Sequence, residues 1–211
     1  MGNLTLIDDN IVKLGQGAKL DQDIKLGYLS GRKIEHFPTV IGNNAVIRSG
    51  TIIYDSTTIG DNLETGHYVI IREENKIGNH CSIWNHSVID YGCIIGNNVK
   101  IHNHVYIPQF TTIEDDVFIA PGVTIANDPH PGCPKFRECM RGPTIKKGAK
   151  IGAGAVILPW IEIGENALIG AGSVVTKDVS PGAVIYGNPA VKKGVIKELT
   201  CPINLIEGPY R

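Results

Sequence analysis

The stretch Ile77-Gly78-Asn79-His80-Cys81-Ser82-Ile83-Trp84-Asn85-His86-Ser87-Val88-Ile89-Asp90-Tyr91-Gly92-Cys93-Ile94-Ile95 decides the fold. It carries Ile at every sixth residue and a small residue four positions after each: Cys81, Ser87, Cys93. Followed outward, the beat runs without a slip from Ile41 to Ile125, fifteen positions of which only Thr65 is not Ile. It resumes at Ile145, Ile151, Ile157, Ile163, Ile169 and Val175. A short fixed period means small units that bury their apolar side chains by stacking on one another. Two inward residues per six, one long and one short, fit a narrow prism with flat sides. The corners are marked by Gly42-Asn43-Asn44, Gly60-Asp61-Asn62, Gly78-Asn79-His80 and Gly96-Asn97-Asn98, residues that tolerate positive φ in turns. Three hexapeptides make one coil, so the reading is an all-β chain wound as a parallel β-helix.

Leu14, Leu20 and Leu26 keep the beat ahead of the regular run, after an irregular lead-in over residues 1–13. The spacing from Leu26 to Ile41 is not a multiple of six, so Ser30-Gly31-Arg32-Lys33-Ile34-Glu35-His36 is expected to bulge out as a loop. A longer interruption, about 127–144, contains Pro129, Pro131, Pro134 and Pro143. Loops of more than about 12–15 residues are usually functional or disordered. This one is expected to be ordered, because the beat resumes in phase. Residues 1–194 are read as the β-helix domain. Residues 195–211 are read as an extension, helical around Val195–Leu199, that caps the open end and protects its strand edges.

The 211 residues form one domain, and a formal net charge of −1 gives no field that would favour nucleic acid or an anionic membrane. Nothing at the N-terminus reads as a signal peptide, and no apolar run approaches the roughly 20 residues needed to cross a bilayer. A cytoplasmic protein without nucleic-acid or membrane partners is expected. Five Cys without secretory context argue against a disulfide framework, and Cys81 and Cys93 fall at core positions.

The second corner of each coil is unusual. Successive coils place there Gly66-His67-Tyr68, Trp84-Asn85-His86, His102-Asn103-His104 and Ala120-Pro121-Gly122, so four of the seven His share one column. Coils lie about 4.8 Å apart, which makes the column a ladder. After the loop the same corner becomes Gly152-Ala153-Gly154 and Gly170-Ala171-Gly172, with no side chain beyond a methyl. This is either simple turn geometry or a smooth groove that ends at a His-rich patch. Among the ladder residues His102 is the first candidate for a general base, with Trp84 and Ala120 as column neighbours expected to shield it from water. His104, above or below His86, is the second.

The closing stretch Ile163-Gly164-Glu165-Asn166-Ala167-Leu168-Ile169-Gly170-Ala171-Gly172-Ser173-Val174-Val175-Thr176-Lys177-Asp178-Val179, followed by Gly187-Asn188-Pro189-Ala190, resembles the C-terminal pattern of hexapeptide-repeat acyltransferases that use acetyl-CoA. The resemblance covers residues 14–190. It implies a left-handed coil, a homotrimer with acyl sites in grooves between adjacent helices, and acetyl-CoA along Ala153, Gly154, Gly170 and Ala171 near Lys177 and Pro189. The stretch Gly96-Asn97-Asn98-Val99-Lys100-Ile101-His102-Asn103-His104-Val105-Tyr106 resembles the nucleotide-aminosugar N-acetyltransferases of surface-polysaccharide pathways. That resemblance implies an acceptor contact at Asn103, with Asn85 and His86 as further candidates beside it. The run Ile125-Ala126-Asn127-Asp128-Pro129-His130-Pro131 is similar to the loop of galactoside and maltose acetyltransferases, where a His before Pro acts as the base. It makes His130 the third catalytic candidate and adds Asn127 and Asp128 as acceptor contacts.

The expected function is acetyl transfer from acetyl-CoA to a nucleotide-linked aminosugar, with O-acetylation of the galactoside or maltose type as the alternative. Two further readings stay open. His130, Cys133, Cys139 and Cys201 have a spacing compatible with a structural zinc site tying the loop to the tail. His67, His86 and His104 would be the ligands if the chain resembled the γ-class carbonic anhydrases, which share this fold. A non-catalytic scaffold is the remaining class, since fold does not imply function.

Overall fold

The computed structural model describes residues 11–210. It is a left-handed parallel β-helix whose three flat sides are sheets of eight, ten and eight strands. Strands pair with their equivalents one coil away, as in Lys76↔Ile94 and Ile77↔Ile95 on the first sheet, Ser82↔Lys100 on the second and Val88↔Tyr106 on the third. The Ile column forms the core: Ile47, Ile53, Ile71, Ile89, Ile107 and Ile119 are fully buried, as are the short inward residues Ala45, Val69, Cys93 and Val99. Burial pushes the Cys93 thiol up to about 12, so it behaves as a packing group.

Where the inward residue is Thr or Ser, its hydroxyl bonds the chain. Ser87 Oγ donates to the carbonyl of His102 at 2.7 Å and Thr57 Oγ1 to that of Arg72 at 2.8 Å. Thr65, the exception in the Ile run, has the same explanation. Its Oγ1 accepts the Arg48 N–H at 3.0 Å and meets Thr51 Oγ1 at 3.3 Å. At the first corner the Asn and Asp residues form their own ladder, each side chain taking the turn N–H of the preceding coil. The Asn43 N–H donates to Asp61, Asp61 to Asn79, Asn79 to Asn97 and Asn97 to Asp115, at 2.6–2.9 Å. This is why the middle turn residue is so regularly Asn or Asp: it satisfies a backbone donor that the corner leaves over.

Residues 1–10 of the expected lead-in lie outside the described residues, and Val12–Leu14 is already a strand paired with Thr39–Ile41 rather than irregular chain. The segment after Tyr28 bulges as expected. The long loop leaves after Ile125 and returns at Thr144, where Thr112↔Thr144 and Ile113↔Ile145 pair in unbroken register. It contains one helical turn, Phe136–Cys139, and is held by Trp160 Nε1 donating to the Cys139 carbonyl at 2.8 Å. Beyond the last coil, Ala183–Gly187 and Ala190–Val195 form a hairpin that extends the second sheet, followed by a 3-10 turn at Ile196–Glu198. The tail then runs back along the flank of the second sheet. Tyr210 lies beside Lys150 and, with Phe118, Gly152 and Leu168, lines a hollow of about 360 Å³.

Candidate active site at the second corner

The second corner lies between the second and third sheets. The last residue of this turn takes positive φ in coil after coil: 57° at Tyr68, 59° at His86 and 57° at His104, then 70°, 65° and 67° at Gly122, Gly154 and Gly172. Repeating one backbone conformation aims successive side chains the same way. The Tyr68, His86 and His104 rings therefore stack, with centroids 5.2 and 5.1 Å apart and planes within 7° of parallel. Below the stack, a Cβ on Gly50 would meet Tyr68 Cδ1 at 2.3 Å. Above it the same turn position is held by Gly122, Gly154 and Gly172, where an added Cβ would meet nothing within 4 Å among the described residues. The corner thus changes from an aromatic column to an open, backbone-lined groove, and His104 is the ring at the junction.

The groove floor is Ala153, Gly154, Ala171 and Gly172, all exposed. Gly152 and Gly170 are glycines for a different reason. A Cβ would fall 2.5 Å from Ala171 N in the first case and 2.6 Å from Tyr186 Cβ in the second. Gly170 is therefore packed against the terminal hairpin. Lys177 and Pro189 are exposed beyond the last coil.

His102 is half-buried, and the ring found against it is that of Phe118, with centroids 4.8 Å apart. It leans onto the second sheet rather than joining the stack. Asn85 belongs to the turn: its Oδ1 accepts the His67 N–H at 2.7 Å. Asn103 is half-exposed, and its carbonyl accepts the Gly122 N–H at 2.9 Å. Asn127, Asp128 and His130 are grouped elsewhere, at the third corner, across the third sheet from His104. The Asp128 carboxylate accepts the His130 N–H at 2.9 Å, and His130 itself is exposed.

The zinc expectation is not met. Among the described residues no three His, Cys, Asp or Glu converge as metal ligands, so His130, Cys133, Cys139 and Cys201 do not form a site. Cys201 instead faces its own tail, where backbone N–H groups of Ile203 and Leu205 hold its thiol below the ordinary value. The set His67, His86 and His104 does not converge either. The parallel rings of His86 and His104 direct their ring nitrogens side by side, and His67 Nδ1 is bonded to Ser49 Oγ at 3.0 Å.

The third corner holds functional-looking residues that the periodicity did not single out. Glu73 is fully buried and Asp90 nearly so. Burial alone would raise the Glu73 carboxyl, but hydrogen bonds and charge from Arg72, aided by Ser30, hold it below the ordinary value. Tyr106 is pushed up to about 12 by burial and by the charge of Asp90, so it remains a donor. A signal was present in the sequence: Arg72-Glu73-Glu74 and Asp90-Tyr91-Gly92 replace the Gly-Asn pattern of ordinary corners with charge.

Residues 92–127 and 142–177 match the bacterial transferase hexapeptide family, and residues 74–109 match the hexapeptide repeat of succinyl-transferase. A dTDP-3-amino-3,6-dideoxy-α-D-galactopyranose 3-N-acetyltransferase of Aneurinibacillus thermoaerophilus is 49% identical over 63 residues, 30% of this chain and 33% of that protein. A galactoside O-acetyltransferase of Escherichia coli is 44% identical over 92 residues, 42% of this chain and 44% of that protein. The chain thus spans less than half the length of these curated relatives. Across 92% of this chain and 74% of the other, the fold is that of a UDP-N-acetylglucosamine acyltransferase from Bacteroides fragilis, with a TM-score of 0.73 and 18% identity. The repeat read in the sequence and seen as three stacked sheets is thus matched, on both sides of the loop, by the hexapeptide repeat of bacterial transferases.

Proposed function

We propose that the protein transfers an acetyl group from acetyl-CoA to the amine of a nucleotide-linked aminosugar. The observation that carries this reading is the junction at the second corner, where an open groove of Ala153, Gly154, Ala171 and Gly172 runs up to the end face of His104. Such a groove accepts a thin flexible arm and leaves its thioester beside an imidazole. The acceptor nitrogen attacks the thioester carbonyl carbon, the C–S bond breaks, and the proton released from nitrogen passes by way of His104 to the leaving sulfur. We place His104 ahead of His102 because the His102 ring is engaged with Phe118. Asn103 and the loop residues Asn127 and Asp128 are assigned to the acceptor. The aminosugar N-acetyltransferase named above supports the choice of acceptor.

A homotrimer belongs to this proposal. Beyond Lys25 in its first strand, the third sheet presents Ile52, Ile70, Val88, Val156 and Val174 outward, partly exposed and uncharged, whereas the second presents Lys19, Glu64, Lys100 and Lys150. Turning the third sheets toward a threefold axis sets the second corner of one copy beside the third corner of the next. The loop of each copy then walls the groove of its neighbour. A cytoplasmic location and a place in surface-polysaccharide synthesis go with the same reading.

The test is release of free thiol from acetyl-CoA in the presence of UDP- and dTDP-aminosugars, compared with the same nucleotide sugars bearing a hydroxyl in place of the amine. Release that requires the amine is expected. The second reading, O-acetylation, is favoured by His130 in the loop and by the galactoside O-acetyltransferase similarity, and it predicts release with galactosides lacking an amine. No release with any acceptor, and no thermal shift with CoA, would leave the scaffold reading.

A further inference from the structure

Asp90 is 6% exposed, and its carboxylate accepts three hydrogen bonds and pairs with one cation. Its Oδ1 takes the Tyr91 N–H at 2.9 Å and lies 3.2 Å from Arg72 Nη1 in an ion pair, and its Oδ2 takes Tyr106 Oη at 3.0 Å and Gln109 Nε2 at 2.5 Å. Both carboxylate oxygens are thus engaged. A carboxylate accepts and never donates, so it dictates the orientation of what touches it. Gln109 must turn its NH₂ toward Asp90, which leaves its Oε1 facing away. Asn127 must then present its NH₂, and Asn127 Nδ2 does donate to Gln109 Oε1 at 2.6 Å. The carbonyl of Asn127 in turn accepts the Arg141 N–H at 2.8 Å, which joins the start of the loop to its end. Upstream, Arg72 is held by Glu73 through Nε at 3.0 Å and Nη2 at 2.9 Å. Glu73 also takes Arg32 Nη1 at 3.3 Å, with the Arg32 guanidinium 3.6 Å above the Tyr91 ring.

We propose that Asp90, acting through Gln109, is a positioning residue that sets the base of the 126–143 loop and thereby the placement of Asp128 and His130 over the acceptor. The assignment to the acceptor rests on the acetyltransferase reading above; the mechanical part, that the charge of Asp90 orders the loop base, does not. Asp90 touches neither of the groups proposed to react, so its effect is confined to where the loop stands. Within one copy, the groove at the second corner lies across the third sheet from this network.

The experiment uses the full chain with two substitutions, Asp90→Asn and Gln109→Glu, and two readouts, amide hydrogen exchange and steady-state kinetics. In Asp90→Asn, the amides of the loop and of Arg141 should exchange faster while the solenoid strands keep their protection. The kcat/KM for the acceptor should fall by up to about 10²-fold, the scale expected for a misplaced positioning group, with a smaller change in KM for acetyl-CoA. Gln109→Glu places a second carboxyl against Asp90, in surroundings that also include Arg72, Tyr106 and the Cys93 thiol. At about pH 8 the two like charges repel and the loop should loosen. At about pH 5.5 the introduced carboxyl, its pKa raised by Asp90, regains a proton and can donate to Asp90 and accept from Asn127 as the amide did. Loop protection and acceptor kcat/KM should then recover together, which a merely structural role would not produce. Unchanged loop exchange in both variants overturns the proposal, as does loss of solenoid protection in step with that of the loop. Should Asp90→Asn fail to fold, the pH dependence of Gln109→Glu decides alone. A wild-type chain inactive toward every acceptor would sink the acetyltransferase reading, while the exchange data would still judge the role of Asp90.

Discussion

His102 and His104 stand two positions apart in one turn and face different ways. The first position of the turn directs His102 onto Phe118 of the second sheet, and the third, at positive φ, stacks His104 on His86 beside the groove. Replacing His104 with Ala should lower turnover by about 10²–10⁴-fold, the range of a general base, with smaller losses for His102→Ala and His130→Ala. Steady-state rates for the three variants give the ranking, and a dominant loss at His130 would move the proton transfer to the loop. The His column was legible in the sequence because it depends only on spacing. Which ring ends the stack was not, because that depends on where in the turn each residue sits. Glu73 offers a second check. Its folded-state pKa lies below the ordinary value of 4.5, so its contribution to stability is complete above that pH and is lost as the pH falls beneath it. Urea unfolding between neutral and acid pH should show that loss in the wild type, and a flatter profile in Glu73→Gln from a lower starting stability.

The sheets and corners carry the repeat faithfully because each inward Ile needs only its neighbours one coil away, a local rule that periodicity reveals. The third-corner network keeps the 18-residue spacing of the coils, since Gln109 and Asn127 hold the same turn position one coil apart, but its residue types change from coil to coil. Arg32, by contrast, reaches Glu73 from 41 residues away, out of the bulge that interrupts the repeat. Spacing places such residues at a corner, but which side chains bond one another depends on chemistry that does not repeat. The same reasoning applies to the terminal hairpin, whose strands pair within the second sheet although the Ile beat has already ended. At the groove, Ala171 is exposed and its neighbours bear no side chain, so Ala171→Trp should fold with an unaltered melting temperature yet raise KM for acetyl-CoA severalfold. An unchanged KM in a folded variant would show that the donor arm lies elsewhere.

In the proposed trimer each copy carries a groove at one edge of a sheet face that is apolar beyond Lys25 and a loop at the other, and neighbours complete both around a ring. Light scattering should therefore give three times the 22.8 kDa chain mass, and a stable monomer would end the trimer proposal. The loop itself has a property that follows from its stem. Thr112 and Thr144 pair as though adjacent in the repeat, and Asn127 and Arg141 share a hydrogen bond, so the intervening chain departs and returns at nearly the same point. Excising residues 129–140 and closing the gap with a short Gly-containing turn should leave circular dichroism and melting close to wild type while abolishing acceptor use. The solenoid would then serve as a chassis and the loop as an exchangeable cassette, so that the loop's share of acceptor preference is transplanted by grafting another loop onto the same stem.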